Sequence, residues 1–275
     1  MIRIQQSRIQ QTFEKLTASH KKALITYVTA GDPSLAVTEQ LVLAMEEGGA
    51  DIIELGIPYS DPLADGPVIQ RAAKRALQAG TKIDDIFALV ANIRSKTQVP
   101  LVFLVYFNPV LQYGLQKFLT TCHHSGVDGL IIPDLPLEER SQLQEILTST
   151  GYPIDLIPLV APTSAQRVPA LVAKGSGFVY CIAAMGVTGQ REEFFLGLEE
   201  FVHGIKAHTA TPVALGFGIG SPKAVHTLRD YADGLIVGSA IIQRIEDCIT
   251  NKKTPEISRV VTDFVRELRV ALDSF

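Results

Sequence analysis

Residues 51–66 read Asp51-Ile52-Ile53-Glu54-Leu55-Gly56-Ile57-Pro58-Tyr59-Ser60-Asp61-Pro62-Leu63-Ala64-Asp65-Gly66. The run Asp51–Leu55 is short, apolar and strand-like, and a carboxylate interrupts it near its end. A proline-rich loop follows and presents two more carboxylates, Asp61 and Asp65. Carboxyl groups in an apolar strand and in a solvent-facing loop can hold different protonation states at one pH, as paired acid/base chemistry requires. The alternative is that Glu54 ends a strand and Asp65 caps a helix.

Seven further apolar runs share the character of the first: Ala23–Val28, Leu101–Tyr106, Gly129–Ile132, Ile154–Val160, Phe178–Ile182, Pro212–Leu215 and Gly234–Val237. They are continuous rather than alternating, the pattern of strands buried on both faces of a parallel sheet. Stretches of helical periodicity lie between them: Val37–Glu47, Ile83–Ile93, Phe118–His124, Leu137–Leu147, Ala165–Ala173 and Lys223–Leu228. Eight strands alternating with helices predict an α/β fold, a (β/α)8 TIM barrel, with a doubly wound open sheet as runner-up. Ser7–Ala18 reads as an extra N-terminal helix with Ile9, Phe13 and Leu16 apolar, and Ile257–Leu272 as a closing helix. No linker or short repeat interrupts the pattern, so residues 1–275 are expected to form one domain. In such barrels the site lies at the C-terminal ends of the strands. Glu54 and Asp65 would then face one mouth.

The chain has 275 residues, 47% of them hydrophobic, which is ample for a packed core. A net charge of −4 without basic blocks argues against a nucleic-acid or membrane surface. Cys122, Cys181 and Cys248 are odd in number and far apart, as free thiols in a reducing compartment would be. The N-terminal residues are too polar for a signal peptide and no apolar run reaches transmembrane length. A cytoplasmic location is expected, with an organelle stroma as the alternative. No histidine ends a strand and metal-ligand spacing is absent, so no metal site is expected. Cys181 reads as a small core hydrophobe.

Three glycine-bearing loops follow the sixth, seventh and eighth runs: Gly186–Gly189, Gly216–Gly220 and Gly238-Ser239. Glycine lets a backbone approach a ligand and turn its N–H groups inward. Barrels often bind phosphate in the last loops, at the N-terminus of a short extra helix, and Ser239-Ala240-Ile241-Ile242 reads as the start of one. Each loop alone fits a tight turn. Together, on adjacent strands, they favour a phosphate site across the mouth from Glu54 and Asp65. No lysine ends a strand, which disfavours a Schiff-base aldolase.

Over nearly its whole length the chain resembles the α subunits of tryptophan synthase. The matching segments are Tyr27–Pro33, Glu54–Pro67, Tyr106-Phe107-Asn108-Pro109, Pro133–Pro136, Gly186–Gly189, Gly216–Ile219 and Gly238-Ser239-Ala240. The resemblance implies a TIM barrel that cleaves indole-3-glycerol phosphate to indole and glyceraldehyde 3-phosphate. It implies that Glu54 is the general acid/base and that Asp65 bonds the indole N–H. Tyr180 would stand near the glutamate and Phe217 beside the indole. Gly189, Gly218, Gly238 and Ser239 would hold the phosphate, and Thr188 would pair with Asp65. The chain would need no cofactor of its own. Its partner would be a pyridoxal-phosphate β subunit in an α2β2 assembly, with Asp61, Pro62 and Asn108 at or near the contact. For Asn108 an Asn-Pro turn remains an equal reading. One segment departs from the family: Ala183-Ala184-Met185 stands where a hydroxyl or an arginine is usual before Gly-Val-Thr-Gly. That change bears on loop closure and leaves both carboxylates in place. A free-standing lyase, a non-catalytic activating subunit and another phosphate-binding barrel enzyme such as an isomerase are the competing readings. The retained Glu54 and Asp65 argue against the activator, and the Ser60–Gly66 stretch against the isomerase.

Overall fold

The computed structural model describes residues 6–182, 197–216 and 218–274. Among the described residues nine strands form one parallel sheet: β1 (Ala23–Thr29), β2 (Ile52–Gly56), β3 (Leu101–Leu104), β4 (Gly129–Ile131), β5 (Asp155–Leu156), β6 (Leu159–Val160), β7 (Val179–Ile182), β8 (Val213–Gly216) and β9 (Gly234–Val237). The spatial order is β5-β4-β3-β2-β1-β9-β8-β7-β6. The two outermost strands, β5 and β6, are one stretch of chain broken at Pro158, which has no N–H to give a ladder. That stretch bonds both neighbours. The Ile157 N–H donates to the Leu130 carbonyl at 2.9 Å, and the Tyr180 N–H donates to the Pro158 carbonyl at 2.9 Å. The ring therefore closes as eight staves, and the open-sheet alternative falls. The single expected run Ile154–Val160 becomes two short strands for want of one donor.

Closure divides the apolar residues into two cores. Every stave sends at least one side chain to the inner cluster, among them Ile25, Ile52, Val102, Ile131, Ile157, Tyr180, Ala214 and Ile236. Outward neighbours such as Leu24, Ile53, Leu55, Phe103 and Leu130 pack under the helices. Burial on both faces is why the strands read as continuous apolar runs.

Helix α1 (Arg8–Ala18) closes the bottom of the barrel. Ser7 caps it by accepting from the Gln10 N–H at 3.2 Å. Ile9, Phe13 and Leu16 lie on one face and join the inner cluster, with the Phe13 ring 6.0 Å from that of Phe178. Polar staples fix its position at the N-terminal ends of the staves. Ser7 Oγ donates to Asp155 at 2.5 Å, and Arg8 pairs with Asp128 at 2.7 Å.

The other helices are α2 (Leu35–Gly48), α3 (Pro67–Gln78), α4 (Ile83–Arg94), α5 (Phe107–Tyr113), α6 (Leu115–Ser125), α7 (Ser141–Thr150), α8 (Val168–Val172), α9 (Leu198–Lys206), α10 (Pro222–Leu228), α11 (Ser239–Thr250) and α12 (Ile257–Asp273). α12 packs against α2 and α10 and closes the helical ring, as expected for the C-terminal segment. Gly48 permits that approach, since a Cβ there would stand 2.8 Å from the Val265 side chain. α7 begins at Ser141 because Leu137–Glu139 winds as a 3-10 turn, and α8 is shortened likewise by the turn Pro162–Arg167. The periodicities given above for the sequence omit α3, α5 and α9. Among the described residues no helix is long and apolar enough to cross a membrane.

Phe13→Ala should cost about 3 kcal/mol of stability by emptying the bottom of the inner core. Urea unfolding measures this, and a loss below about 1 kcal/mol would mean that α1 lies outside the cooperative core.

Candidate active site

Strand β2 alternates with period two. Ile52 belongs to the inner cluster while Ile53 and Leu55 face the helices, so Glu54 and Gly56 turn inward. Glu54 sits in register between Tyr27 on β1 and Val102 on β3. It is 1% exposed, and its Oε1 has no hydrogen-bond partner among the described residues. Burial pushes its carboxyl up to about 8. Glu54 is therefore mostly neutral at pH 7, with a proton to give.

Two tyrosines face this carboxyl, Tyr27 from β1 and Tyr180 from β7. Burial raises both hydroxyls well above their usual range, and the charges of Glu54 and Asp65 raise them further. Tyr27 Oη lies 3.2 Å from Thr29 Oγ1. Glycines at the strand ends make room for the rings. A Cβ at Gly56 would fall 2.0 Å from Tyr27 Oη, and one at Gly216 would fall 2.5 Å from the Tyr180 ring.

Asp65 is half-buried in the loop after β2. Its amide donates to the Pro62 carbonyl at 3.1 Å, and its carbonyl accepts from Gln70 Nε2 at 2.8 Å. Gly66 is the N-cap of α3, with Pro67 as the first helical residue, so the helix-cap reading of Asp65 fails. The Tyr106 hydroxyl reaches the same loop, its Oη accepting from the Ala64 N–H at 2.9 Å. Burial pushes the Asp65 carboxyl up, the nearby Tyr106 hydroxyl pulls it down, and the result is about 6. At pH 7 Asp65 is mostly ionised while Glu54 is mostly protonated.

The loops after β8 and β9 meet at the same mouth because those strands are neighbours. Gly218 has φ +80°, a conformation that favours glycine. Ser239 is the first residue of α11, and the first turn leaves the Ser239 and Ala240 N–H groups without intrahelical acceptors. That end of the helix suits an anion. Gly189, Thr188, Phe217 and the segment Ala183-Ala184-Met185 lie outside the described residues.

A family model described as tryptophan synthase alpha chain matches residues 13–272. The chain belongs to that family. Its relatives include the tryptophan synthase alpha chain of Alkaliphilus metalliredigens, 53% identical over 95% of this chain and 97% of that one. The alpha chain of Caldanaerobacter subterraneus subsp. tengcongensis is 51% identical over 97% of this chain and 100% of its own. Among solved structures, tryptophan synthase subunit alpha from Legionella pneumophila superposes with a TM-score of 0.88 at 33% identity, covering 98% of this chain and 100% of that one. A structure of Mycobacterium tuberculosis tryptophan synthase gives 0.86 at 35% identity, covering 98% and 99%.

In this tryptophan synthase alpha chain family member, Asp61, Pro62 and Asn108 lie on the rim of the mouth. Asp61 is exposed and accepts from Ser60 Oγ at 2.6 Å. Asn108 is exposed and donates from Nδ2 to Tyr59 Oη at 3.2 Å, which joins the loops after β2 and β3. Leu63 between them is 89% exposed. The sequence reading gave no role to Tyr27 or Tyr106. Tyr27 was readable from its phase, two residues after the inward Ile25. Tyr106 follows the end of β3, where no periodicity gives a direction. Cys181 is buried and packs with the outer core, its thiol pushed up to about 12 by burial. Among the described residues no group of three His, Cys, Asp or Glu side chains could hold a metal.

Burying Glu54 has a pH-dependent cost. Its folded carboxyl titrates above its unfolded one, so stability is complete below the unfolded value and is lost as pH rises toward about 8. Glu54→Gln removes that dependence. Between pH 4.5 and 7 the stability of the variant relative to the parent should rise by about 3 kcal/mol, read from urea unfolding at the two pH values. A difference that stays constant with pH would mean that Glu54 is ionised in the fold.

Proposed function

We propose that this chain is a carbon–carbon lyase, the subunit that cleaves indole-3-glycerol phosphate to indole and glyceraldehyde 3-phosphate. The observation that carries the reading is a buried neutral carboxyl and a half-buried ionised one at a single barrel mouth. Cleavage needs a proton delivered to indole C3 and a proton taken from the hydroxyl on the adjacent glycerol carbon. Glu54 gives its proton to C3, and the ring becomes an iminium. Asp65 accepts a hydrogen bond from the ring N–H and stabilises that positive charge. The ionised Glu54 then takes the hydroxyl proton. The bond between C3 and the glycerol carbon breaks, its electron pair restores the aromatic ring, and the oxygen becomes the aldehyde of glyceraldehyde 3-phosphate. Glu54 ends as it began. The indole ring is itself the electron sink, so the step calls for no metal or cofactor.

Gly218, Gly238 and Ser239, with Gly189, are the proposed phosphate cradle, and backbone N–H groups rather than a lysine would carry the charge. Tyr180 and Phe217 are the proposed apolar neighbours of the indole, and Thr188 the partner of Asp65 on loop closure. Asp61, Pro62 and Asn108 are the proposed contact with a pyridoxal-phosphate β subunit in an α2β2 assembly. The exposed Leu63 among them supports a covered rim. Residues 1–275 are proposed to act as one domain.

The test is indole release from indole-3-glycerol phosphate, with and without an added β subunit. Slow release that the β subunit accelerates is expected. Fast release indifferent to it would make the chain a free-standing lyase, and no release under either condition would overturn the lyase reading. Glu54→Gln should abolish cleavage while phosphate-ligand affinity stays nearly unchanged, and near-normal turnover in that variant would remove Glu54 from the mechanism.

The pH profile provides a separate check. Asp65 must be ionised and Glu54 protonated, so kcat/KM should be bell-shaped, with limbs near the values of about 6 and about 8 held by the two carboxyls. A profile flat across that range would contradict the assignment.

A further inference from the structure

We propose that Arg75 is a positioning residue that sets the span between the carboxyl side of the mouth and the phosphate cradle, by tying α3, which leads back to Asp65, to α11, which begins at Ser239. This deepens the substrate reading given under Proposed function and rests on it.

Three elements meet at the Arg75 guanidinium. Asp32, in the loop after β1, accepts from Arg75 Nε and from one outer nitrogen, both at 2.8 Å. The other outer nitrogen donates to Glu246 on α11 at 2.7 Å. A guanidinium is planar and carries its donors in a fixed fork, so the two acids are held at one separation and one angle, which the point charge of a lysine cannot do. Arg71, one turn earlier on α3, donates to both oxygens of Glu246 at 2.8 and 2.7 Å.

The frame is anchored where the mouth needs it. β1 lies between β2, which carries Glu54, and β9, which leads into Gly238. Asp32 is buried. Its N–H donates to the Thr29 carbonyl at 3.2 Å, and the Gly31 N–H donates to Thr38 Oγ1 on α2 at 2.9 Å, so the loop is held to both β1 and α2. Glu246 follows Ser239 by two helical turns and so lies on the same side of α11, about 10 Å along its axis. Arg71 and Arg75 stand one and two turns into α3, whose first residue, Pro67, closely follows Asp65. A shift of α11 against α3 therefore moves the cradle against the carboxyls.

Stability does not account for this arrangement. Burial, with the Glu246 charge, raises the Asp32 carboxyl more than Arg75 lowers it. An ion pair desolvated at such a cost gains little over apolar packing. A two-ended substrate, by contrast, depends on the geometry. Its phosphate at α11 and its reacting carbon beside Glu54 are joined by a short carbon chain, and both ends seat together only at the right span.

The experiment compares fragments with a bridging ligand by calorimetry in the whole chain. Inorganic phosphate reads the cradle alone, and indole reads the ring pocket alone. Indole-3-propanol phosphate, the substrate without its glycerol hydroxyls, reads both at once. In Arg75→Lys the fragments should bind within about twofold of the parent while the bridging ligand loses about tenfold, and kcat/KM for indole release should fall by at least that factor. Glu246→Gln leaves the Arg75 fork on Asp32 and weakens only the link to α11. It should give the same pattern, and it keeps the test open should R75K fold poorly. Arg94→Lys alters the ion pair with Asp128 and should lower Tm while the ratio of bridging to fragment affinity stays at the parent value. A bridging affinity unchanged in a folded R75K or E246Q, a loss shared equally by the fragments, or the same loss in R94K would overturn the proposal. A parent chain that binds all three ligands but releases no indole would instead defeat the lyase reading and leave the affinity ratios to decide the role of Arg75.

Discussion

A carboxyl inside an apolar barrel must find a partner or keep its proton, and no acceptor or donor is recorded at Glu54 Oε1 among the described residues. Its neutrality at pH 7 follows from position alone, with no cation or second carboxylate needed. That position requires a rigid barrel, because water or a mobile base would relieve the desolvation. The apolar side chains of the inner cluster and the α1 plug at the bottom supply the rigidity. The group that makes the site reactive is thus among the least favourable in the fold, and the packing below it offsets the cost.

Asp65 solves the opposite problem with a different kind of structure. It has to stay ionised, so it sits half-exposed on a loop with the Tyr106 hydroxyl nearby lowering its carboxyl against burial. A loop residue placed this way needs external support, and that support comes from both sides. Tyr106 holds the loop from the β3 side through the Ala64 N–H, which donates to its Oη. Helix α3, which begins directly after it, is anchored from the other. Arg75 on α3 forms a two-pronged contact with the buried Asp32 after β1, both bonds at 2.8 Å, and reaches Glu246 on α11 at 2.7 Å. Arg71 binds the same glutamate at 2.7 and 2.8 Å.

This ionic network links the two halves of the mouth. α3 leads back to Asp65, and α11 carries Ser239 at its first position. Asp32 is 1% exposed; burial, with the Glu246 charge, raises its carboxyl more than Arg75 lowers it. Its contribution is therefore better described as fixing the spacing of three elements than as stabilising the chain. The distance between the reacting carboxyls and the anion-binding helix end is held by α3 and α11 together.

Composition and periodicity by themselves determined the parallel α/β class, the number of staves, the terminal helices and the presence of Glu54 and Asp65 on one stretch. They did so because two-sided burial writes continuous apolar runs and because a carboxylate near a strand end has no solubilising purpose. The split at Pro158 could have been read from the missing N–H; ring closure could not, since it depends on that segment bonding β4 and β7 at once. Helix α3 was legible from Gly66-Pro67 and the spacing of Ile69, Ala72, Ala73 and Ala76. Only the tertiary structure decided the protonation states and the role of Tyr106. Both depend on what lies across the barrel from a residue, and burial and hydrogen-bond partners are properties of contacts between distant segments that no local pattern encodes.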